Sequence, residues 1–347
     1  MKRFSAEYLR EVGADLFVAC GASREEAAVV AGELVEASLL GFDSHGVMRF
    51  LQYAEDTLEG KVKPGAPIRI VKETPTTAIV DCGFNYGPVT AVRIVEIACQ
   101  KAERSNLAYI VSHNSHHVGR LGSYVQKVAE KGMFGFATCN SSKHGHFVVP
   151  WGGCAGRLAT NPIAYAAPTS GRPVVMDMST AMISEGKLRI LMNQGKPVPE
   201  GCIQDSRGNP TTNAKAFYGP PRGAILPFGS QFGYKGFGLS LLVEIMSGIM
   251  AGMATSVDYP YINGLALIAV NPDAFCGKNR FRELMDDLCA YITSSPPAPG
   301  RNAVVMPGAY DFQILEKRSI EGIPVDERTW QLICEVARRV GVGIDDH

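Results

Sequence analysis

The stretch from Leu107 to Asn140, LAYIVSHNSHHVGRLGSYVQKVAEKGMFGFATCN, decides the fold class. Its apolar run Leu107–Ser112 predicts a strand, Gly122–Lys131 predicts a helix, and Phe134–Cys139 predicts a second strand. Strands that alternate with helices indicate an α/β domain. Polar residues crowd the point where the first strand ends, which is where open α/β sheets tend to place ligands.

The alternation continues on both sides of this stretch and predicts an α/β domain over residues 71–299. We expect strands at Thr77–Cys82, Ile163–Ala167, Pro173–Met178 and Leu265–Val270, and helices at Val89–Arg104 and Asn279–Thr293. Lys235–Gly252 is almost wholly apolar, and so we expect a long, buried helix there.

Both chain ends are predicted to be helical, and Ser294–Arg301 has linker composition. Ser5 can cap a first helix, and Ser23 with Glu26 forms a capping box for a second that runs to about Leu40. Asp43 or Ser44 would cap a third helix that ends near Gly60, and Pro324–Arg339 would form the last. We expect residues 1–70 and about 300–347 to pack together as a discontinuous helical domain, because neither end alone makes much of a core.

Composition narrows the function. The 347 residues carry 34 Lys and Arg against 34 Asp and Glu, and this balance disfavours a nucleic-acid partner. No uninterrupted apolar run of about 18 residues is present, so we expect no membrane span. The nine cysteines include no C-x-x-C pair, which favours buried free thiols in a reducing cytoplasm.

Asp43-Ser44-His45-Gly46, Arg49 and Tyr53 form the first candidate site. If Ser44 caps the helix, then His45, Arg49 and Tyr53 share one helix face. A guanidinium there would hold a carboxylate in bidentate fashion, and an imidazole can transfer a proton near neutral pH. The alternative is an ordinary solvated helix face.

Three further polar segments follow predicted strands or open a helix. The first segment, His113–Arg120, lies after the strand Leu107–Ser112. His116 and His117 are neighbours that would point in different directions, so we predict no metal site there. The alternative to a ligand-binding role for this segment is a polar turn. Asp177 ends a buried strand and needs a partner, for which a histidine is the natural choice, although a helix-capping Asp is the simpler reading. Lys235 and Gly236 open the apolar helix and suit a phosphate, unless they form a glycine turn with a solvated Lys. Together these segments suggest a phosphate-bearing cofactor and a small organic acid.

Seven motifs occur in the order and spacing of the malate/L-lactate dehydrogenase family, which the chain resembles over nearly its whole length. They are Asp43–Gly46 with Arg49 and Tyr53, Asn114–Gly119, Thr160–Ala164, Asp177–Thr180, Lys196–Pro199, Tyr234–Leu239 and Met306–Gly308. Within that family the chain looks most like the bacterial 2-hydroxycarboxylate dehydrogenases, on Ser115–Gly122 and Gly195–Asn213.

The resemblance implies a fold and an activity that the residue patterns do not show. The fold would be a non-Rossmann NAD(P)-binding α/β domain with a mostly antiparallel sheet, plus a helical domain built from both chain ends. The enzyme would be cytoplasmic, homodimeric or larger, and would use NAD or NADP to interconvert a 2-oxo acid and a 2-hydroxy acid.

The resemblance also implies site residues. The proton donor would be His45, relayed by Ser44 and Asp177, or else His117; Arg49 would clamp the substrate carboxylate, with Tyr53 and Thr160 beside it. The cofactor would contact His117, Gly119, Arg120, Leu121, Ser141, Val175, Met176, Asp177, Met178, Lys235, Gly236, Pro307, Gly308 and Ala309.

Two departures from the family pattern fall near the expected pocket. Ala159 stands where the family usually has Gly, and Tyr234 stands where His is common. Substrate range is therefore open. Two alternatives share these motifs: a reductase of cyclic imino acids, and a non-catalytic relative that binds the cofactor.

Overall fold

A computed structural model describes residues 2–254, 259 and 262–344 of the chain. The strands are β1 (Lys2–Phe4), β2 (Arg69–Glu73), β3 (Thr77–Asp81), β4 (Leu107–His113), β5 (Phe134–Ser141), β6 (Ile163–Ala167), β7 (Val174–Met178), β8 (Ile203–Gln204), β9 (Pro210–Thr211), β10 (Ala224–Ile225), β11 (Asn263–Val270) and β12 (Ile323–Val325). The α-helices are α1 (Ala6–Ala19), α2 (Arg24–Leu39), α3 (Arg49–Leu58), α4 (Gly87–Ser105), α5 (Gly122–Glu130), α6 (Glu185–Asn193), α7 (Ala214–Tyr218), α8 (Tyr234–Val243), α9 (Lys278–Thr293), α10 (Ala309–Glu321) and α11 (Glu327–Arg339).

A mixed sheet with the order β2-β3-β4-β11-β5-β6-β7 forms the centre of the molecule. Within the described residues β3 and β4 are its parallel pair, and the other neighbours are antiparallel. Since β4 and β5 both run against β11, and β7 runs with β5, the carboxyl ends of these three strands meet at one edge. That edge collects Asn114–Arg120, Asn140 and Asp177, and the predicted α/β class is confirmed.

The two chain ends contribute to one hydrophobic core. β1 pairs with β12, so that Lys2 lies opposite Val325, and Leu9, Phe17, Phe50 and Trp330 are buried together. This core is extensive within one chain. The proposed domain limits stay a prediction.

Two boundaries differ from the sequence prediction. The third helix begins at Arg49, because Asp43–His45 forms a separate 3₁₀ turn and Gly46 then leaves helical geometry. His45 is thus not on the helix face that carries Arg49. Pro324 lies in β12 rather than in the last helix, which begins at Glu327 after the side chain of Asp326 caps it.

The apolar segment after Lys235 is neither one long helix nor buried. α8 ends at Val243, and a π turn (Glu244–Gly248) and a 3₁₀ turn (Ile249–Ala251) follow. The polar residues Ser240, Glu244 and Ser247 face the interior, whereas the apolar side chains are exposed: Leu239, Leu241, Leu242, Ile245, Ile249 and Met250. The apolar composition of this segment predicted that it is buried. Composition could not show that the polar side of the segment packs against polar residues at the strand ends.

A smaller, separate hydrophobic core, which the sequence did not predict, is formed by residues of the segment from 148 to 225. It joins the three-stranded sheet β10-β8-β9 to α6 and α7, with Leu188 and Phe217 buried in it. The cysteines are also less uniform than expected: Cys154 and Cys276 are exposed. None of the helices in the described part of the chain has the length and hydropathy that a bilayer crossing requires.

Candidate active site

His45 lies on a short turn that close packing holds against the end of α2. The Oγ of Ser44 lies 3.0 Å from Nδ1 of His45, and Nε of Arg49 donates to the Ser44 carbonyl at 2.6 Å. Ser38 accepts a hydrogen bond from the backbone of Val47 at 3.0 Å. A Cβ at Gly46 would come within 2.0 Å of the Ser38 Oγ, so this approach requires glycine.

His117 faces His45 from the loop after β4. The two imidazole rings are stacked with their centroids 5.4 Å apart. The Tyr53 hydroxyl on α3 donates to the His117 carbonyl at 2.5 Å and lies 2.9 Å from Nδ1 of the same residue. Since that single hydroxyl proton points to the carbonyl, Nδ1–H of His117 is the donor to Tyr53. Neutral His117 therefore carries an unprotonated Nε2.

Both imidazoles are neutral near pH 7. Desolvation, and then the positive charges of Arg49 and Arg120, lower the pKa of His45 to about 3. Desolvation, Arg49 and the other histidines hold the pKa of His117 well below its usual range. A bound carboxylate that offsets the charge of Arg49 would raise both pKa values.

The structure contains an Asp–His pair that sequence reasoning missed. The Oδ2 of Asp56 lies 3.0 Å from Nε2 of His116, and both side chains are buried. Desolvation opposes ionisation of Asp56, but the hydrogen bonds of His116 and Lys61 outweigh it and lower the pKa of Asp56. The spacing of Asp56 three residues after Tyr53 on an amphipathic helix was the one available signal.

Among the described residues Asp177 pairs with no histidine, which is contrary to the prediction. Its Oδ2 accepts the backbone N–H of Gly122 at 2.7 Å, at the start of α5. Burial raises its pKa against the attraction of Arg120. The first turn of a helix offers free N–H groups and a positive dipole end, so this short-range partner prevails over a distant imidazole.

Arg120 is buried beside Asp177 with unused hydrogen-bonding capacity. Its guanidinium lies over the Phe42 ring at 4.6 Å, and its Nη2 is 3.8 Å from the Asp311 carboxylate. Nε and Nη1 have no hydrogen-bond partner among the described residues. Buried donors are normally paired, and so this guanidinium fits an anionic or carbonyl group of a bound molecule.

The Pro307–Ala309 turn lies against β7 and leads into α10. The Val175 backbone N–H donates to the Pro307 carbonyl at 3.3 Å. Gly308 has φ +86°, and a Cβ there would lie 2.8 Å from the Val175 carbonyl. Of the expected cofactor residues, Val175 and Leu121 have buried side chains in the sheet core, so only their backbones could meet a ligand.

Lys235 and Gly236 form a second group near Thr160. The Gly236 N–H donates to the Phe228 carbonyl, the Phe228 N–H donates to the Thr180 carbonyl, and the Thr180 N–H donates to the Thr160 carbonyl. Lys235 is exposed, with Nζ 5.4 Å from the Phe232 ring centroid. The chain of hydrogen bonds ties this turn to the segment that follows Asp177.

The remaining expected contacts lie on the edge where the strands end. Ser141 ends β5, and its carbonyl lies 3.3 Å from Nε2 of His146. Met176 and Met178 flank Asp177 on β7 and are half-buried. Gly119 has φ +79° in the loop between His117 and Arg120. The structure thus groups the expected residues into an imidazole cluster (His45 and His117 with Arg49 and Tyr53), an Arg120–Asp177 cluster, and two turns that contain Gly308 and Gly236.

Comparisons with known proteins show which family the chain belongs to. The family description "Malate/L-lactate dehydrogenase" matches residues 4–334. A malate dehydrogenase of Pyrococcus horikoshii is 34% identical over 335 residues, covering 93% of this chain and 91% of the relative. An L-sulfolactate dehydrogenase of Methanocaldococcus jannaschii is 34% identical and covers 96% of each chain. A solved structure of a putative malate/lactate dehydrogenase from E. coli superposes with a TM-score of 0.91 at 29% identity, covering 99% of this chain and 96% of the other.

The chain therefore belongs to the malate/L-lactate dehydrogenase family. It is an oxidoreductase of 2-hydroxy acids, and the family implies a nicotinamide cofactor. The residues present fit such a group, because the unpaired Arg120 donors and the close backbone turn at Gly308 suit the polar and phosphate parts of a dinucleotide.

Proposed function

We propose that the imidazole cluster binds a 2-oxo or 2-hydroxy acid, and that NAD or NADP binds across Arg120, Asp177 and the Pro307–Ala309 turn. The observation that carries this proposal is the stacked pair His45 and His117 with the guanidinium of Arg49 beside them. Interconversion of a 2-oxo acid and a 2-hydroxy acid requires from the protein one proton transfer at the C2 oxygen and a group that holds the carboxylate.

Each residue of the cluster has a proposed task. Arg49 holds the substrate carboxylate, and its charge adds to the desolvation that keeps both histidines neutral. His45 transfers the proton of the C2 oxygen, because the Ser44 hydroxyl can either donate to or accept from Nδ1 as the ring changes state. His117 accepts a hydrogen bond at Nε2 from the C2 hydroxyl of the 2-hydroxy acid, since its Nδ1–H donates to Tyr53. When bound, the nicotinamide supplies or removes the hydride at C2.

The other expected site residues have proposed positions in the site but no proposed chemical step. Lys235 and Gly236 would approach the cofactor phosphates or ribose, with Ser141, Met176 and Met178 along the strand ends. Thr160 would line the substrate side. Asp177 would act through Gly122 and Arg120 rather than through a histidine, because those groups surround its carboxylate.

We also propose that two copies of the chain pair through the exposed apolar face of α8. Exposed apolar patches on soluble proteins mark interaction sites, and here Leu241, Leu242 and Ile245 are each at least 40% exposed while the polar side of the helix faces inward. A cytoplasmic location, which cysteine usage favours, stays a prediction.

A turnover assay tests the activity. The purified protein is mixed with NADH or NADPH and a panel of 2-oxo acids, a cyclic imino acid, or no acceptor. We expect loss of the reduced cofactor's absorbance with at least one 2-oxo acid, and the better cofactor identifies the NAD or NADP preference. Turnover of the imine alone would favour the imine reductase, and cofactor binding without turnover would favour the non-catalytic relative.

A further inference from the structure

Arg318 of α10 binds the turn that carries His45, although it is far away in the sequence. Its Nη1 and Nη2 donate to the two carboxylate oxygens of Asp43 at 2.5 and 3.0 Å, and Nη1 also donates to the Ser38 carbonyl at 2.5 Å. The Arg318 side chain is only 16% exposed. A guanidinium that forks onto a carboxylate fixes orientation as well as distance.

The Arg318 fork adds to another side-chain hydrogen bond on the turn, in which Nε of Arg49 donates to the Ser44 carbonyl at 2.6 Å. Asp43–His45 is a three-residue 3₁₀ turn with no side-chain cap, held internally by the hydrogen bonds from His45 to Phe42 and from Gly46 to Asp43. Short 3₁₀ turns have weak hydrogen-bond geometry. The Arg318 fork and the close contact of Gly46 with Ser38 therefore position Ser44 and His45.

The same helix begins at the proposed cofactor turn. Pro307 and Gly308 lie against Val175 immediately before α10, and Asp311 in its first turn faces Arg120 at 3.8 Å. The helix runs unbroken from Ala309 to Glu321. One rigid element thus contacts the cofactor side at its start and the His45 turn near its end.

We infer that Arg318 is a positioning residue for the reaction, which through Asp43 sets the place of His45 relative to the cofactor turn. This inference rests on the proposed function. Arg318 binds Ser38 and Asp43 rather than the residues proposed to hold substrate or cofactor, so its loss should slow the chemical step and leave binding intact. Small misplacements of a reacting group are costly, because the reaction needs near-contact geometry.

The experiment compares Arg318→Met with wild type and with the control Lys317→Met. Lys317 is the neighbouring residue on α10, and its exposed ammonium lies 3.9 Å from Glu321. For the best 2-oxo acid we expect Arg318→Met to lower kcat by about tenfold or more, with KM and the Kd of the reduced cofactor, read by its fluorescence, within about threefold of wild type. Lys317→Met should match wild type in all three quantities.

A double variant shows whether Arg318 acts through Asp43. Asp43→Asn alone should also lower kcat. The double variant Asp43→Asn with Arg318→Met should have a kcat only slightly below that of Arg318→Met, because the two substitutions remove the same interaction. If Arg318→Met does not fold, Asp43→Asn and Arg318→Lys carry the same comparison, and kcat near wild type in both overturns the inference.

Three results separate the inference from the proposed function. Active wild type with unchanged kcat in Arg318→Met overturns the inference alone. Loss of cofactor affinity in parallel with kcat also overturns it, since Arg318 would then serve the fold or the cofactor turn. A wild type that turns over no 2-oxo acid overturns the proposed function itself.

Discussion

Arg49 is the first residue of α3, and its charge reaches both histidines of the proposed site. We expect Arg49→Lys to lower kcat/KM for every 2-oxo acid by about ten- to a hundredfold, because an ammonium cannot offer the planar two-point grip. Cofactor affinity without substrate should stay near wild type. Steady-state kinetics and fluorescence titration measure the two quantities.

Arg93→Lys provides a matched control, since Arg93 lies on the surface of α4 in an exposed ion pair with Glu96. It should leave kcat/KM unchanged. If Arg49→Lys behaves like this control, Arg49 is an ordinary helix residue. Equal loss of cofactor binding and turnover would instead assign Arg49 to the nucleotide or to the fold.

His45 should make stability depend on pH. The unfolded chain binds a proton at a free histidine near pH 6.5, whereas folded His45 binds one only near its pKa of about 3. The unfolded state therefore binds more protons between these values, and the free energy of unfolding falls as the pH drops. From about pH 7 to about pH 5.5 the loss is roughly 1 kcal/mol for one such histidine.

Urea denaturation of wild type and His45→Gln at the two pH values measures this share. The variant should show a shallower fall than wild type. Identical slopes in wild type and His45→Gln would mean that His45 titrates normally in the folded protein.

At the scale of elements, the Asp56–His116 pair joins α3 to the loop after β4. Because His116 precedes His117, the pair fixes the loop that carries the second imidazole. Removing the charge at buried Asp56 leaves a weakened hydrogen bond, and we expect Asp56→Asn to lower the free energy of unfolding by about 1.5–3 kcal/mol. We also expect kcat to fall, since His117 loses support.

Glu59→Gln is the control, because Glu59 pairs with the same Lys61 at a position where its side chain is 58% exposed. Exposed pairs contribute about 0–1 kcal/mol. Chemical denaturation measures both variants. A cost for Asp56→Asn no larger than that of Glu59→Gln would show that the buried pair does not stabilise the loop.

The helices and strands that short-range patterns specify were predicted well. Ser5 and Ser23 cap α1 and α2 as expected, and β6 was predicted with its observed limits. The failures involve contacts between distant residues. The spacing of Ser44, His45 and Arg49 could not show that Gly46 packs on Ser38, and no pattern links Asp56 to His116 or Asp43 to Arg318. Asp177 binds the N-terminus of a nearby helix, and the chemistry of its carboxylate alone did not predict that partner.

At the scale of the whole molecule, α8 turns its apolar side outward, and we predict a homodimer that covers it. Light scattering at micromolar concentration should give twice the mass of the chain. Ile245→Glu places a charge in this face and should shift the protein towards the monomer.

Ile320→Glu is the matched control, because Ile320 is 88% exposed on α10, away from this face. It should leave the dimer intact. A wild-type protein that scatters as a monomer, or a dimer that Ile245→Glu does not weaken, would contradict the proposed interface.

The central claim is that His45 transfers the proton to or from the C2 oxygen of the substrate, and that His117 holds the C2 hydroxyl group. The most direct measurement is kcat/KM for the best 2-oxo acid in wild type, His45→Gln and His117→Gln, with cofactor affinity determined in each. We predict a loss of about a hundredfold or more for His45→Gln, as for removal of a general acid, a smaller loss for His117→Gln, and cofactor affinity near wild type. Near-wild-type kcat/KM in both variants would contradict the claim.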